Sequence, residues 1–454
     1  MSEAPAAANP QIYHGSILAT WWPLAASWLL MGIELPAISA VVSRLGNPEI
    51  MLAAFGGVVF PIALLIESPI IMMLAASTAW SRDSKSFLAL ERFTTRASIA
   101  LTIVHALIAL TPLYWWVVVP LLDVPEEVQA PALLGLRIML PWSWAIADRR
   151  FRQGALIRFG HRETIARGTL IRMCAAMISL WFFFRADAAG IVTATASITI
   201  GVLVEATFVR WRARVLLPPR LQEADASKIE KPKGSLLAFY MPLAMTPMLI
   251  LALQPIAAAG ITRMPMPLEG LAIWGPLGGL VFLFRSAGIA FNEVVIARCD
   301  EPGCAQRLAR FAWGWGLGFS GVLTAMAVTP LAQIWFQDVM GLDQELVEIG
   351  TSALWLAAPL PLLTFLESYW QGMLVSKHRT QAVTGSVVAF LVVAVTIIVA
   401  GVLIGYWNGL LVTLAAFVAG NTTQTLWLRW KWNAEGPKRP EQPEQGYGAP
   451  EPLM

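Results

Sequence analysis

Shifted by 219 positions, the sequence meets itself. Pro23-Leu24-Ala25 falls on Pro242-Leu243-Ala244, and in the same ungapped register Leu30, Pro36, Ala40 and Arg44 meet Leu249, Pro255, Ala259 and Arg263. Pro48, Leu52, Ala53 and Gly56 fall on Pro267, Leu271, Ala272 and Gly275. Eleven of the 34 positions from Pro23 to Gly56 agree, and prolines, a glycine and an arginine are among them, so a bias toward Ala and Leu does not account for the match. A second echo, at nearly the same offset, sets Pro141…Gln153-Gly154-x-Leu156 against Pro359…Gln371-Gly372-x-Leu374. Two like halves in the same order form a parallel internal repeat, an arrangement that several transporter folds use.

Hydropathy says what each half is made of. A chain of 454 residues that is 57% hydrophobic and only 13% charged is not an ordinary soluble protein. Apolar runs of 18 or more residues recur, each long enough to cross a hydrocarbon core of about 30 Å as a helix. The alternating ten-residue stretches of a membrane β-barrel are absent from the sequence. About twelve spans are expected, at 17–42, 50–79, 95–120, 130–148, 165–185, 188–210, 237–262, 270–297, 309–336, 348–375, 382–405 and 409–430. The expected fold is an all-α polytopic membrane protein, with two pseudo-symmetric six-helix bundles.

Charge then orients the spans. Of the 32 basic residues, 26 fall in connections after even-numbered spans or at the C-terminal end. Connections after odd-numbered spans hold only Arg44, Arg185 and Arg263 and are acidic instead, as in Asp123-Val-Pro-Glu126-Glu127. By the positive-inside rule both termini are cytoplasmic, and a bacterial inner (plasma) membrane is the expected location. The division is a cytoplasmic segment 1–16, a first lobe 17–216, a polar linker 217–235, a second lobe 236–432 and a disordered tail 433–454 rich in Pro, Glu and Gly. The start lacks a signal-peptide pattern, so the first span is expected to stay in the mature chain. The bilayer and a small-molecule substrate are the expected partners, and nucleic acid is not.

These residues resemble a known group. Two six-helix halves, the first opening with WPL and followed by LAAFG at Leu52–Gly56, resemble the multidrug/oligosaccharidyl-lipid/polysaccharide exporter superfamily. The stretches QGALIRFGHRET and QGMLVSKHRTQ are similar to its corresponding turns between helices 4–5 and 10–11. The WWPL opening, ESPIIM in span 2 and FYMPLA at the start of the second half look most like the progressive ankylosis family of membrane exporters. The resemblance spreads over most of Ile17–Trp432. It implies a MATE-like V of two bundles around a central cavity that opens alternately to the two sides, and small organic or phosphate-bearing anions as substrates. Where many multidrug exporters carry an aspartate or asparagine in span 1 for cation coupling, this chain has Glu34.

A charge at mid-bilayer costs about 2.5–3.5 kcal/mol on insertion scales, so one that persists faces a cavity or a partner. Glu67 in span 2 and Arg285 in span 8 lie near the middle of their runs, and Arg285 aligns with Ile66, one position from Glu67. Two readings stand: both face a central cavity, or each pairs within its own lobe. Glu34 precedes Pro36, and Gln254 precedes the paired Pro255. Proline frees a backbone carbonyl one turn back, so Glu34 is a candidate for taking up H⁺ or Na⁺. Arg137 either draws anions inward or snorkels to the interface. Pro36, Pro61, Pro69 and Pro255 are expected hinges or kinks. Arg172, Glu205, Glu293 and Glu367 read as inter-helix partners, His105 as locally hydrogen-bonded, and Gly314–Gly318 as a packing surface. Trp21, Trp22, Trp115, Trp116, Trp430 and Trp432 suit an interface belt.

Enzyme chemistry has little to stand on. The histidines are scattered, and there is no HExxH, no GxSxG and no phosphate-binding loop. Three cysteines make no disulfide framework, and Cys299 and Cys304 in CDEPGC lack a nearby histidine, so no metal or other cofactor is expected. Secondary transport is the reading these residues favour. A lipid-linked oligosaccharide flippase and a multidrug cation antiporter are its alternatives.

Overall fold

The computed structural model describes residues 16–226, 235–299, 301, 303–377 and 379–434, so the segment 1–15, most of the expected tail and part of the expected linker lie outside it. Twelve helical segments match the expected spans in order. They are α1 (Ile17–Val42), α2 (Pro48–Trp80), α3 (Ser84–Leu110), and α4, a pair Glu126–Ile138 and Trp142–Arg158 bent by 42°. Then come α5 (Glu163–Arg185), α6 (Gly190–Ala226), α7 (Leu236–Thr262), α8 (Pro267–Arg298) and α9 (Cys304–Val328). The last are α10 (Gln344–Ser376), α11 (Thr380–Ile404) and α12 (Gly409–Ala434). Ten of these are long and apolar enough to cross a membrane, or eleven with the bent pair as one span, which marks an integral membrane protein. Helix α12 falls outside that set because its polar run Asn421–Thr425 lowers its hydropathy, and Asn421, Gln424 and Thr425 of this run are buried.

The duplication is visible in the backbone as well as in the letters. Asn47 (φ 52°) and Met266 (φ 63°), 219 apart, are both left-handed and both precede the proline that opens the next helix. Asp123 (φ 49°) and Gly341 (φ 68°), 218 apart, are left-handed ends of two further matched segments. Each of those follows a wide π-helical stretch, Tyr114–Val118 in one half and Ile334–Val339 in the other. Gly56 and Gly275, also repeat partners, face each other where α2 meets α8: a Cβ on Gly56 would lie 3.0 Å from the Gly275 Cα. The two lobes therefore touch backbone to backbone where their duplicated glycines meet.

Some expectations change. Helix α6 runs to Ala226, through Pro218 and Pro219 and into the segment read as linker, because Leu217 and Leu221 bury against Phe87, Leu90 and Tyr240. Trp21, expected in the interface belt, is fully buried among Phe291, Phe311 and Phe365, whereas Trp22 and Trp116 are exposed. Gly314 and Gly318 face open space. The packed glycine is Gly316 between them, whose Cβ would meet Leu362 at 2.8 Å.

Candidate functional site

Helices α1 and α7 begin on the wrong side. The ring of Trp21, in α1, sits in the second lobe, and its indole Nε1 donates to the Ala287 carbonyl of α8 at 2.8 Å. Its repeat partner Tyr240, in α7, buries in the first lobe with Phe87 and Phe151, and its hydroxyl donates to the Pro69 carbonyl of α2. Trp21 and Tyr240 are 219 apart, and their acceptors Ala287 and Pro69 are 218 apart, so these two hydrogen bonds are one contact made twice.

The other end of the same helices carries a second layer. Arg44, just past α1, donates through Nη2 to the Asp338 carbonyl at 2.6 Å and through Nη1 to the Val339 carbonyl at 3.1 Å, both in the second lobe. Ser43 donates to the Met340 carbonyl. Arg263, just past α7, donates from Nη2 to the Pro120 and Leu121 carbonyls of the first lobe at 2.9 Å each, and Thr262 donates to Leu122. The acceptors are last-turn carbonyls of the two segments that end in left-handed residues, where no further helix N–H is available to satisfy them. Cations suit that position because the helix dipole places partial negative charge there. Among the described residues, six inter-lobe hydrogen bonds thus close the Arg44 end, and two close the Trp21 end.

Between the two layers lies a chamber of about 430 Å³ lined from both lobes. The first lobe contributes Leu35 and Ser39 of α1 with Phe55, Phe60, Pro61 and Leu64 of α2. The second contributes Gln254 of α7, Trp274, Phe282 and Arg285 of α8, and Phe417 of α12. Among the described residues Arg285 is the only formally charged one in the lining. Its Nε donates to Thr364 Oγ1 at 2.8 Å and its Nη2 to Asn421 Oδ1 at 3.1 Å. No carboxylate among the described residues lies within ion-pair distance of it, and Glu367 is held by Gln424 Nε2 at 2.7 Å. The polar run in α12 therefore has a purpose within the lobe: Asn421 positions the arginine and Gln424 the glutamate.

The remaining candidates lie elsewhere. Glu34 is 4% exposed and pairs with Arg172, whose Nε lies 3.4 Å from Glu205. Glu205 also takes Arg149 and, at 3.0 Å, Gln153. Asp148 binds Arg152 at 3.0 Å and Arg210 at 2.7 Å, so the first lobe holds two alternating clusters of acids and bases. Oε1 of Glu34 is buried with no partner. Glu67 accepts from the Trp142 indole in its own lobe. It does not pair with Arg285. Arg137 is exposed and donates to the Ala109 carbonyl at 3.0 Å. His105 hydrogen-bonds the Leu136 carbonyl at 3.0 Å.

Of the expected hinges, α1 breaks at Ile33, one turn before Pro36. Pro61 follows a π-helical stretch Ala53–Val59, and Pro69 lies in a 3₁₀ turn Ser68–Ile70. Helix α7 continues unbroken through Pro255. Of the sequence candidates, then, only Gln254, Arg285 and Pro61 line the chamber. Trp21, Tyr240, Thr364 and Asn421 were missed. The signal for the first two was an aromatic residue at matching repeat positions, just ahead of the Pro-Leu-Ala register.

Among the described residues no group of three or more His, Cys, Asp or Glu is placed to hold a metal, and Cys174, Cys299 and Cys304 are free. Asp300, Pro302 and His378 lie outside the described residues.

No protein-family model and no curated protein sequence matches the chain. Solved structures do. An inward-facing multidrug resistance MATE family transporter of the MOP superfamily aligns over 93% of this chain and 96% of its own, with TM-score 0.62 and 15% identity. The lipid II flippase MurJ in an inward closed conformation aligns over 90% and 87%, with TM-score 0.68 and 11% identity. The MATE multidrug transporter DinF-BH aligns over 96% and 98%, with TM-score 0.59 and 11% identity. At such identities the likeness is one of fold, and the fold is MATE-like.

Proposed function

We propose that this chain is a secondary active transporter that exports a small anionic solute by alternating access between its two lobes. The observation that carries the reading is the chamber between two inter-lobe layers, each made once by α1 and once by α7. A carrier needs a site that is screened from both sides and layers weak enough to part in turn. A neutral hydrogen bond nets about 1 kcal/mol, so the two-bond layer is worth about 2 kcal/mol. The six-bond layer is worth more, and a bound solute's preference for one state must supply several kcal/mol to part it. The single arginine favours an anion over the cations of a multidrug antiporter. The apolar remainder offers little to a lipid-linked oligosaccharide with its many hydroxyls.

Glu34 is the candidate for coupling. Its unpartnered Oε1 is a place for H⁺ or Na⁺, and neutralising it loosens the Arg172–Glu205–Arg149 network that binds α1 to α5 and α6. The Arg44 layer faces outward and both termini face the cytoplasm, as the distribution of basic residues favours. No enzymatic step is assigned to the chain. Flux of organic anions into and out of proteoliposomes, with and without a proton or Na⁺ gradient, tests the reading. Substrate-specific flux that Arg285→Ala abolishes without loss of monodisperse protein supports it, and equal flux in empty liposomes overturns it.

A further inference from the structure

The chamber's lining is selective in a way that narrows the substrate. We propose that it takes an amphipathic monoanion: one ionised carboxylate or sulfonate on an aromatic-sized apolar body. The proposal rests on the transport reading only in calling this ligand the substrate, since the binding itself stands on the geometry alone.

Arg285 spends two of its three nitrogens within the lobe, on Thr364 and Asn421. Both partners are neutral, so they orient the guanidinium and leave its charge in place. The third nitrogen, Nη1, has no partner among the described residues, on a side chain that lines the chamber. Glu367 acts on this charge from within the lobe, but it does not line the chamber and is not within ion-pair distance. One free donor edge of a guanidinium therefore faces the space and matches one anionic oxygen group. The other polar side chains of the lining, Ser39 and Gln254, bring no charge. A phosphate dianion or a diphosphate would enter with charge that no lysine, second arginine or histidine in this lining offsets, and burying unpaired charge is strongly unfavourable. An organic cation would meet Arg285 and no acid.

The rest of the ligand is read from the walls. Phe55, Phe60, Trp274, Phe282 and Phe417 surround the space with rings from both lobes, and Leu35, Leu64 and Leu251 fill between them. At about 430 Å³ the chamber falls within the usual range for small-molecule sites and exceeds what a bare carboxylate occupies. The apolar body therefore touches both lobes while the acid touches only the second. Such a ligand bridges the two halves, and only its head group is fixed.

Isothermal titration of the purified full chain in nanodiscs tests this with four probes: 1-naphthoate, 1-naphthylmethylammonium, 1-naphthalenemethanol and inorganic pyrophosphate. The expected order places 1-naphthoate at least tenfold tighter than the alcohol and the ammonium, with no saturable pyrophosphate binding. Arg285→Met is expected to bring naphthoate down to the level of the alcohol while leaving the alcohol unchanged, and Arg285→Lys to restore part of the difference. The unchanged alcohol affinity in Arg285→Met shows that the chamber is intact. Naphthoate binding that is indifferent to Arg285→Met, or pyrophosphate binding that depends on Arg285, overturns the proposal. Should Arg285→Met not fold, Arg285→Lys decides alone: naphthoate selectivity over the alcohol must shrink, and an unchanged ratio overturns it. Binding as proposed without flux in proteoliposomes would count against the transport reading and not against the ligand class.

Discussion

Trp21 and Tyr240 stand at the same place in the two repeats, and each is buried in the lobe that the other's half of the chain builds. Their donor groups end on Ala287 and Pro69, one position from exact register in the repeat. The matched contacts lie at the α1 and α7 starts, and the Arg44 and Arg263 contacts lie at the ends of the same two helices. A local two-fold thus relates every inter-lobe hydrogen bond described above to another one.

That relation makes the Arg44 layer double, and its two copies act on one opening. Arg44→Ala and Arg263→Ala each remove two inter-lobe bonds to helix-end carbonyls, a loss of about 1.5–3 kcal/mol per charge-assisted bond at most and less where solvent competes. Each single variant is expected to raise water access to the chamber from that end modestly, and the double variant to raise it more than the sum. Alkylation rates of a cysteine placed at Ser39 report this directly. Equal rates in the parent, single and double variants would show that the layer holds nothing shut.

At the opposite end, Tyr240→Phe deletes one hydrogen bond and keeps the ring, whereas Trp21→Ala empties a fully buried pocket beside Phe291 and Phe365. Loss of the hydroxyl is expected to cost about 1 kcal/mol. Loss of the indole is expected to cost about 3–5 kcal/mol, as large aromatic truncations do. Thermal unfolding in detergent separates the two, and a Trp21→Ala protein as stable as Tyr240→Phe would contradict the swapped packing.

Glu34→Gln keeps the size and the hydrogen-bonding capacity of the side chain and removes its charge and its protonation. Downhill flux of the substrate is expected to persist in this variant, while accumulation against a gradient is lost. Counterflow compared with gradient-driven uptake is the measurement. Full gradient-driven accumulation by Glu34→Gln would remove Glu34 from the coupling step.

The second echo in the sequence also yields a stability test. A Cβ on Gly154 would lie 2.3 Å from the Leu74 carbonyl oxygen, a backbone atom, and 2.6 Å from Ser77 Cβ. On its partner Gly372 a Cβ would instead meet the Val295 side chain at 2.7 Å. Overpacking of this kind costs about 1–3 kcal/mol when neighbours can shift. Gly154→Ala is therefore expected at the upper end of that range or beyond it, and Gly372→Ala below it. Unfolding temperatures of the two variants give the order, which reverses if α2 yields more readily than Val295.

How much of this the sequence carried depended on whether the signal was periodic or pairwise. Length and hydropathy located the helices, because a bilayer demands a minimum apolar run and the chain supplies it in ten of the twelve, the bent α4 and the polar run of α12 being the exceptions. The offset between the repeats announced the two-fold. Arg285 and Gln254 stood out because polar groups are rare inside apolar spans, and both line the chamber. Glu34 and Glu67 stood out for the same reason and lie off the chamber, since a rare charge says that a partner exists and not which one. Arg172 and Trp142, their partners, are separated from them by 138 and 75 residues. The extra turns of α6 were hidden by Pro218 and Pro219, which the packing of Leu217 and Leu221 overrides. Trp21 was misplaced because a tryptophan near a span end looks the same whether its ring meets lipid or another helix.

Because α1 and α7 begin in each other's lobes, neither half of the chain is a self-sufficient module. A first half expressed alone would carry Trp21 with no Phe291, Phe311 and Phe365 to receive it, and would leave unfilled the recess that Tyr240 occupies. Cutting the chain between residues 226 and 235 should therefore give two fragments that misassemble singly and recombine when made together.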